Sequence, residues 1–309
     1  MRIKKPLAFV TNLDLEHISD VSKFLKRFKI PTFIDPFNHK DTKKSLAELA
    51  VWEDEIKRTD FKSILKFGHT PTSRVWRKLA RNWSNKFYFY NYRPYIHTGL
   101  PFKFKTLSLN MSVDTIQYRF VTTRRTFDFP SKSEHSFLQA ILKKYRHFDF
   151  FVGNSLPAYT FLYLDHLNVS IWGNRGCNGI DGLVSTFAGF AYAKRNIVGI
   201  IGDLSLLYDI TGLLMLKNAK SSWRLFVINN KGGKIFDFFG LSKNLPNKTR
   251  NIMRAKHNVN LEGVVTALGL KFYSISSESQ LKNIPERGVI EIIPDNRATV
   301  LAWRSLLKS

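Results

Sequence analysis

With 309 residues and 44% apolar composition, the chain is long enough for two ordinary α/β domains, each with its own core. Its 48 Lys and Arg against 24 acidic residues leave a net charge of +24, a field that attracts anions. The cations are scattered, however, and accompany abundant Asn, Ile and Phe, the usage of a low-GC genome. Small anionic ligands are therefore favoured over nucleic acid. Cys177, the only cysteine, rules out an internal disulfide and a thiolate metal cluster. The eight histidines include no pair at zinc-binding spacing. No apolar run approaches the roughly 18–20 residues of a membrane span. The apolar stretch Leu7–Val10 is too short for the core of a signal peptide.

Short apolar strands alternate with amphipathic helical stretches almost end to end. Leu7–Val10 reads as a strand. A helix follows over Leu15–Phe28, with Ile18, Val21, Leu25 and Phe28 on one side, then a strand over Pro31–Ile34. Next come the strand Ser63–Phe67, the helix Thr72–Arg81 and the strand Phe87–Tyr90. Residues 91–130 break the rhythm with aromatics, basics and prolines. They read as a linking segment, with a strand near Gln117–Val121. The helix Glu134–Lys144 restarts the pattern. The strands Phe148–Val152, Val169–Trp172, Asn196–Ile201, Arg224–Ile228, Lys271–Ile275 and Val289–Ile293 follow, and the helix Ala298–Leu307 closes it. The expected fold is α/β, two three-layer domains over 1–125 and 126–309, with mainly parallel sheets.

Two loops carry the chemistry. Gly202-Asp203-Leu204-Ser205 closes one predicted strand, and Asn229-Asn230-Lys231-Gly232-Gly233 closes the next. Asp203 and Asn230 are 27 residues apart (230 − 203). In a parallel sheet both loops emerge on the same edge, where ligands bind. A carboxylate, an amide carbonyl and a glycine-loop carbonyl are hard oxygen donors suited to Mg²⁺. A helix beginning near Ser205 would turn its N–H groups toward an anion held there. Asp209 reads as a local cap rather than an acid/base partner of Tyr208. Cys177 reads as a small packed residue rather than a nucleophile.

This pairing resembles the thiamine-diphosphate enzymes. Four blocks narrow the likeness: Gly153-Asn154-Ser155-Leu156-Pro157, Asn174-Arg175-Gly176-Cys177-Asn178-Gly179-Ile180-Asp181-Gly182, Gly202–Asp209, and Asn229–Phe236. In this order they are similar to the 2-succinyl-5-enolpyruvyl-6-hydroxy-3-cyclohexene-1-carboxylate synthases of menaquinone and phylloquinone biosynthesis. The likeness covers about Glu134–Leu307. A weaker one runs through residues 5–90, notably Phe67-Gly68-His69-Thr70-Pro71-Thr72-Ser73-Arg74.

The resemblance implies a thiamine-diphosphate-dependent transferase that decarboxylates 2-oxoglutarate and adds the succinyl unit to isochorismate. It implies Asp203, Asn230 and Gly232 as ligands of Mg²⁺ or Mn²⁺. Ile180, Asp203, Leu204, Ser205, Gly233 and Ile235 would contact thiamine diphosphate. Ser155, Arg175, Ile235 and Phe236 would line the substrate pocket, with Arg74 facing it from the central domain. Arginine suits the planar recognition of a carboxylate. A bacterial cytoplasm or a plastid stroma is the implied location.

Two departures stand against a simple carry-over. Ala158-Tyr159 replaces a position where the family pattern has arginine. The family's N-terminal pyrimidine-binding domain, with its activating glutamate, has no counterpart in this sequence, so no catalytic residue is assigned. The expectation is a C-terminal portion that works with a separate pyrimidine-binding chain or in a homo-oligomer. The alternative is a degenerate, non-catalytic relative that binds diphosphate or polyanions.

Overall fold

A computed structural model describes residues 2–56, 60–73, 75–76, 78, 88–92, 104–114, 118, 127–176, 179–193, 196–238 and 244–308. The chain divides into two compact units, Met1–Arg125 with Asp165–Gly176, and Thr126–Leu164 with Cys177–Ser309. The division near 125 coincides with the change of sequence rhythm. The second unit is nevertheless not one continuous stretch, because 165–176 groups with the first.

The first unit holds β1 (Pro6–Thr11), β2 (Thr32–Ile34), β3 (Ser63–Gly68), β4 (Tyr88–Tyr92) and β5 (Lys105–Leu107). They form one sheet in the order β2-β1-β3-β4-β5, with every pairing parallel. All six residues of β1 are buried, as a strand covered on both faces requires. The helix Ile18–Arg27 buries Val21, Phe24 and Leu25 on this sheet's core, with Ile18 and Phe28 packed partly against it. Leu15–His17 forms a 3₁₀ turn ahead of that helix instead of its first turn. β5 lies inside the stretch that the sequence reads as linker. Its three residues, Lys-Thr-Leu, bury only the leucine and so carry almost no periodic signal. The strand expected near Gln117–Val121, apart from Tyr118, and five of the ten residues of the helix Thr72–Arg81 fall outside the described residues; Val75, Trp76 and Lys78 are helical, while Thr72 and Ser73 precede the helix.

The remaining strands are β6 (Asp149–Val152), β7 (Ile171–Trp172), β8 (Ile197–Gly202), β9 (Trp223–Ile228), β10 (Phe272–Ile275) and β11 (Arg287–Ile292). β7 belongs to the segment 165–176. In the second unit the order runs β10-β11-β9-β8-β6, again parallel throughout. β8 and β9 occupy the middle of that run, and their apolar sequences, Ile-Val-Gly-Ile-Ile-Gly and Trp-Arg-Leu-Phe-Val-Ile, suit strands covered on both faces. Gly199 admits the ring of Phe187 against the sheet. A Cβ there would lie 2.7 Å from that ring and 2.8 Å from Leu225.

The helix Glu134–Lys144 has Ser133 as its cap, which accepts from the backbone N–H of Ser136, and ends in Lys143 and Lys144. Those lysines complement the negative end of the helix. His135 on this helix is wholly buried, 5.0 Å from the Phe129 ring and 4.6 Å from the indole of Trp303. Among the described residues neither of its ring nitrogens has a hydrogen-bond partner. Burial pushes its pKa down to about 3. The unfolded chain binds this proton below about pH 6.5 and the folded one only near 3. The stability contribution is therefore lost as pH falls through that window. Between pH 7 and 5 this one group is expected to remove about 2 kcal/mol from the second unit. Denaturant titrations at a series of pH values should show a shallower acid slope for His135→Phe than for wild type. Parallel slopes would show that His135 does not control it.

Candidate active site

β8 and β9 pair in register, with Gly202 opposite Ile228, so their loops leave the sheet side by side. Gly202 caps a helix that begins at Asp203 and runs to Tyr208, two residues ahead of the expected start near Ser205. Asp203 is 2% exposed and is held by the backbone around it. Its Oδ1 accepts from the N–H of Leu204 at 2.7 Å and its Oδ2 from the N–H of Gly232 at 2.9 Å. Two backbone donors to one buried carboxylate offset much of its desolvation and fix its direction.

The two asparagines after β9 divide their work. Asn229 turns back to the sheet, donating from Nδ2 to Glu291 on β11 at 2.6 Å. Asn230 faces the cavity and donates from Nδ2 to Glu134 Oε1 at 2.7 Å. Its Oδ1 is buried and has no partner among the described residues. The chain then turns through Lys231 at φ 62° and Gly232 at φ 119°. A Cβ on Gly232 would stand 2.6 Å from the carbonyl oxygen of Arg254, so only glycine fits this turn without displacing backbone. Gly233 completes the contact by donating its N–H to that same carbonyl at 2.7 Å.

One cavity of about 120 Å³ lies over these loops. Its polar end is lined by Asp203, Asn230, Gly232 and Gly233, with Leu204 and Ser205 from the helix after β8. Ser155, Ile180, Ile235 and Phe236 line the same cavity. Ten of the predicted site residues thus share one cavity. Ser155 sits there at φ 73° and ψ −145°, strained backbone for a serine that caps the short helix Leu156–Thr160. Asn154 ties this loop to the next by donating to the carbonyl of Gly179 at 2.6 Å.

One predicted residue, Arg175, is not among those lining this cavity. Arg175 groups with the first unit, where it is 7% exposed and its guanidinium lies 5.1 Å over the ring of Phe37. Its charge acts on the buried carboxylate of Asp35, which also accepts from the N–H groups of Phe37 and Thr72. Arg74 and Cys177 are outside the described residues. Tyr159 is buried at 4% exposure. Asp209 is a cap, though a distant one: it accepts from the N–H and hydroxyl of Ser185, both at 2.7 Å, at the start of the helix Leu183–Ala193.

Three further residues shape the site. Glu134, from the first turn of its helix, lines the cavity at 1% exposure. Burial pushes its carboxyl up to about 7; the bond from Asn230 pulls it down and the charge of Asp203 pushes it up again. Lys234 also lines the cavity, its amine held below the usual lysine range by burial and by Arg254. His257 approaches from a loop after the helix Asn247–Met253, placing Nε2 3.1 Å from Asp203 Oδ2. Glu134 and His257 belong to no local motif: their partners Asn230 and Asp203 are 96 (230 − 134) and 54 (257 − 203) positions away in the chain, so spacing alone does not mark them, whereas Lys234 falls within the Asn229–Phe236 block.

The donors suit a hard divalent cation. A carboxylate oxygen, an unpartnered amide oxygen and a peptide carbonyl converge on one cavity, and all are oxygens. The carbonyl of Gly232 already accepts from the N–H of Lys234 at 2.8 Å, which leaves it one further lone pair. Gly232→Ala is expected to strain the turn by about 1–3 kcal/mol. It should also weaken binding of Mg²⁺-pyrophosphate roughly tenfold or more. Calorimetry on wild type and variant measures the second effect, and equal affinities would show that the turn is not part of the site.

No family model matches the chain. A 2-succinyl-5-enolpyruvyl-6-hydroxy-3-cyclohexene-1-carboxylate synthase of Bdellovibrio bacteriovorus is 27% identical over 97% of this chain and 61% of its own length. The synthase of Aliivibrio fischeri is 35% identical over 46% of this chain and 24% of its own. The chloroplastic protein PHYLLO of Arabidopsis thaliana is 34% identical over 37% of this chain and 7% of its own. The chain therefore spans about three-fifths of the Bdellovibrio relative. Among the described residues no helix is long and apolar enough to cross a membrane. In sequence, this chain resembles part of the 2-succinyl-5-enolpyruvyl-6-hydroxy-3-cyclohexene-1-carboxylate synthases.

Proposed function

We propose that the chain is the central and diphosphate-binding portion of such a synthase, acting on 2-oxoglutarate and isochorismate with thiamine diphosphate and Mg²⁺ or Mn²⁺. The observation that carries this reading is the buried, unpartnered Oδ1 of Asn230 in the same cavity as Asp203 and Gly232. A buried amide oxygen without a partner costs about 1–3 kcal/mol. A cation that binds a diphosphate would satisfy it.

When bound, thiamine diphosphate supplies the electron sink for decarboxylation and carbon–carbon bond formation. The chain's own residues would bind and orient. Asp203, Asn230 and Gly232 would hold the metal, with Leu204, Ser205 and Gly233 beside the diphosphate. Ile180 and Ile235 would give the rings an apolar seat that excludes water. Ser155 and Phe236 would border the substrate, and Lys234 adds a cation to the same cavity.

The activating glutamate of the family would come from outside these 309 residues, on a partner chain or another part of the enzyme. Ile180, Ile235 and Phe236 are each only half-buried, which suits a face that receives such a partner. The second reading, a non-catalytic diphosphate binder, is favoured by Tyr159 standing where the family pattern has arginine. Loss of a charged hydrogen-bonding partner typically costs 2–5 kcal/mol in binding.

Calorimetry with thiamine diphosphate, with and without Mg²⁺, tests the reading. Binding should need the metal and should disappear in Asp203→Ala; equal heats for the two proteins would refute the assignment. The 309-residue chain alone should bind the cofactor yet fail to turn over 2-oxoglutarate at an enzymatic rate. Robust, Asp203-dependent decarboxylation by that chain would show that no outside residue is needed.

A further inference from the structure

Asn230 can serve a metal only if its amide is turned the right way. A primary amide carries an oxygen and an NH₂ on the same carbon, and only the oxygen is a useful ligand for a hard cation. Rotation by half a turn about the last side-chain bond would exchange the two. Something must select one orientation.

Glu134 is placed to do so. Its backbone N–H is already used, donating to the hydroxyl of Thr299 at 3.1 Å in the closure of its helix. Its side chain is wholly within the unit, 1% exposed, and its Oε1 lies 2.7 Å from Asn230 Nδ2. The bond from Nδ2 to Oε1 seats the NH₂ of the amide on the carboxyl and turns its oxygen away from it. With the NH₂ held there, Oδ1 is left buried and unpartnered beside the carboxylate of Asp203.

We propose that Glu134 is a positioning residue for the metal site, holding the Asn230 amide so that its oxygen is presented to the cation. This rests on the metal-binding reading above and extends it to a residue 96 positions away in the chain (230 − 134). A second effect works in the same direction. Accepting a hydrogen bond from the NH₂ draws electron density toward Oδ1, which makes that oxygen a better donor. Outer partners of this kind commonly govern metal affinity by 10–100-fold.

The test is Mn²⁺ binding to the full chain, followed by electron paramagnetic resonance of free Mn²⁺, alone and with inorganic pyrophosphate. Glu134→Leu should weaken binding by roughly 10–100-fold. Glu134→Gln should weaken it less, because its amide oxygen can still accept from Asn230, and it keeps the proposal testable if the leucine variant does not fold. Asn230→Ala should weaken binding too, and adding Glu134→Leu or Glu134→Gln to it should then change nothing more, since the group being oriented is gone. A purely structural role for Glu134 would lower thermal stability without this dependence on Asn230. If folded Glu134→Leu binds Mn²⁺ like wild type while Asp203→Ala does not, the positioning role is wrong and the metal site stands. If Asp203→Ala also binds like wild type, both are wrong.

Discussion

Two parallel strands that end level with one another set the conditions for everything else in the second unit. β8 and β9 pair from Ile197 with Trp223 to Gly202 with Ile228, so the groups following them must emerge together. Parallel strands need a crossover between them, and the crossover from β8 to β9 begins at once with the helix whose first residue is Asp203. That geometry leaves a crevice outside the carboxyl ends of the strands. The loops then need only the right side chains to become a site.

Burying those side chains creates a second demand. Asp203 and Glu134 are both within the unit, and an isolated buried carboxylate is costly. Each is provided for differently. Asp203 receives two backbone N–H groups, from Leu204 and Gly232. Glu134 receives one amide NH₂, from Asn230, which offsets only part of the rise that burial imposes on its carboxyl. The turn at Gly232 links these arrangements, since its backbone reaches Asp203 while the next residue bonds to Arg254. Ser155 lines the cavity at a φ of 73° that serine rarely adopts, and the chain beside it turns through Lys231 and Gly232 at positive φ.

Much of the site was legible in the residues because its chemistry is local to strand ends. Asp203, Asn230 and Gly232 each sit just beyond a predicted buried strand, and that placement follows from apolar runs and glycine punctuation alone. Ser155, Ile180 and Phe236 came from likeness to known blocks, and the cavity also contains them. Glu134 and His257 carried no such mark. A glutamate in the first turn of a helix ordinarily serves the helix dipole, and a lone histidine in a loop ordinarily faces water.

Sequence alone determined the α/β alternation and the paired loops, because period, turn residues and strand composition act over a few neighbouring positions. Tertiary structure decided the rest. It placed 165–176 with the first unit, set Arg175 on Phe37 and made a strand of Lys105–Leu107. It also brought Glu134 to Asn230 and His257 to Asp203. Those contacts join residues tens of positions apart, and only the stacking order of parallel strands and their helices determines which distant side chains meet.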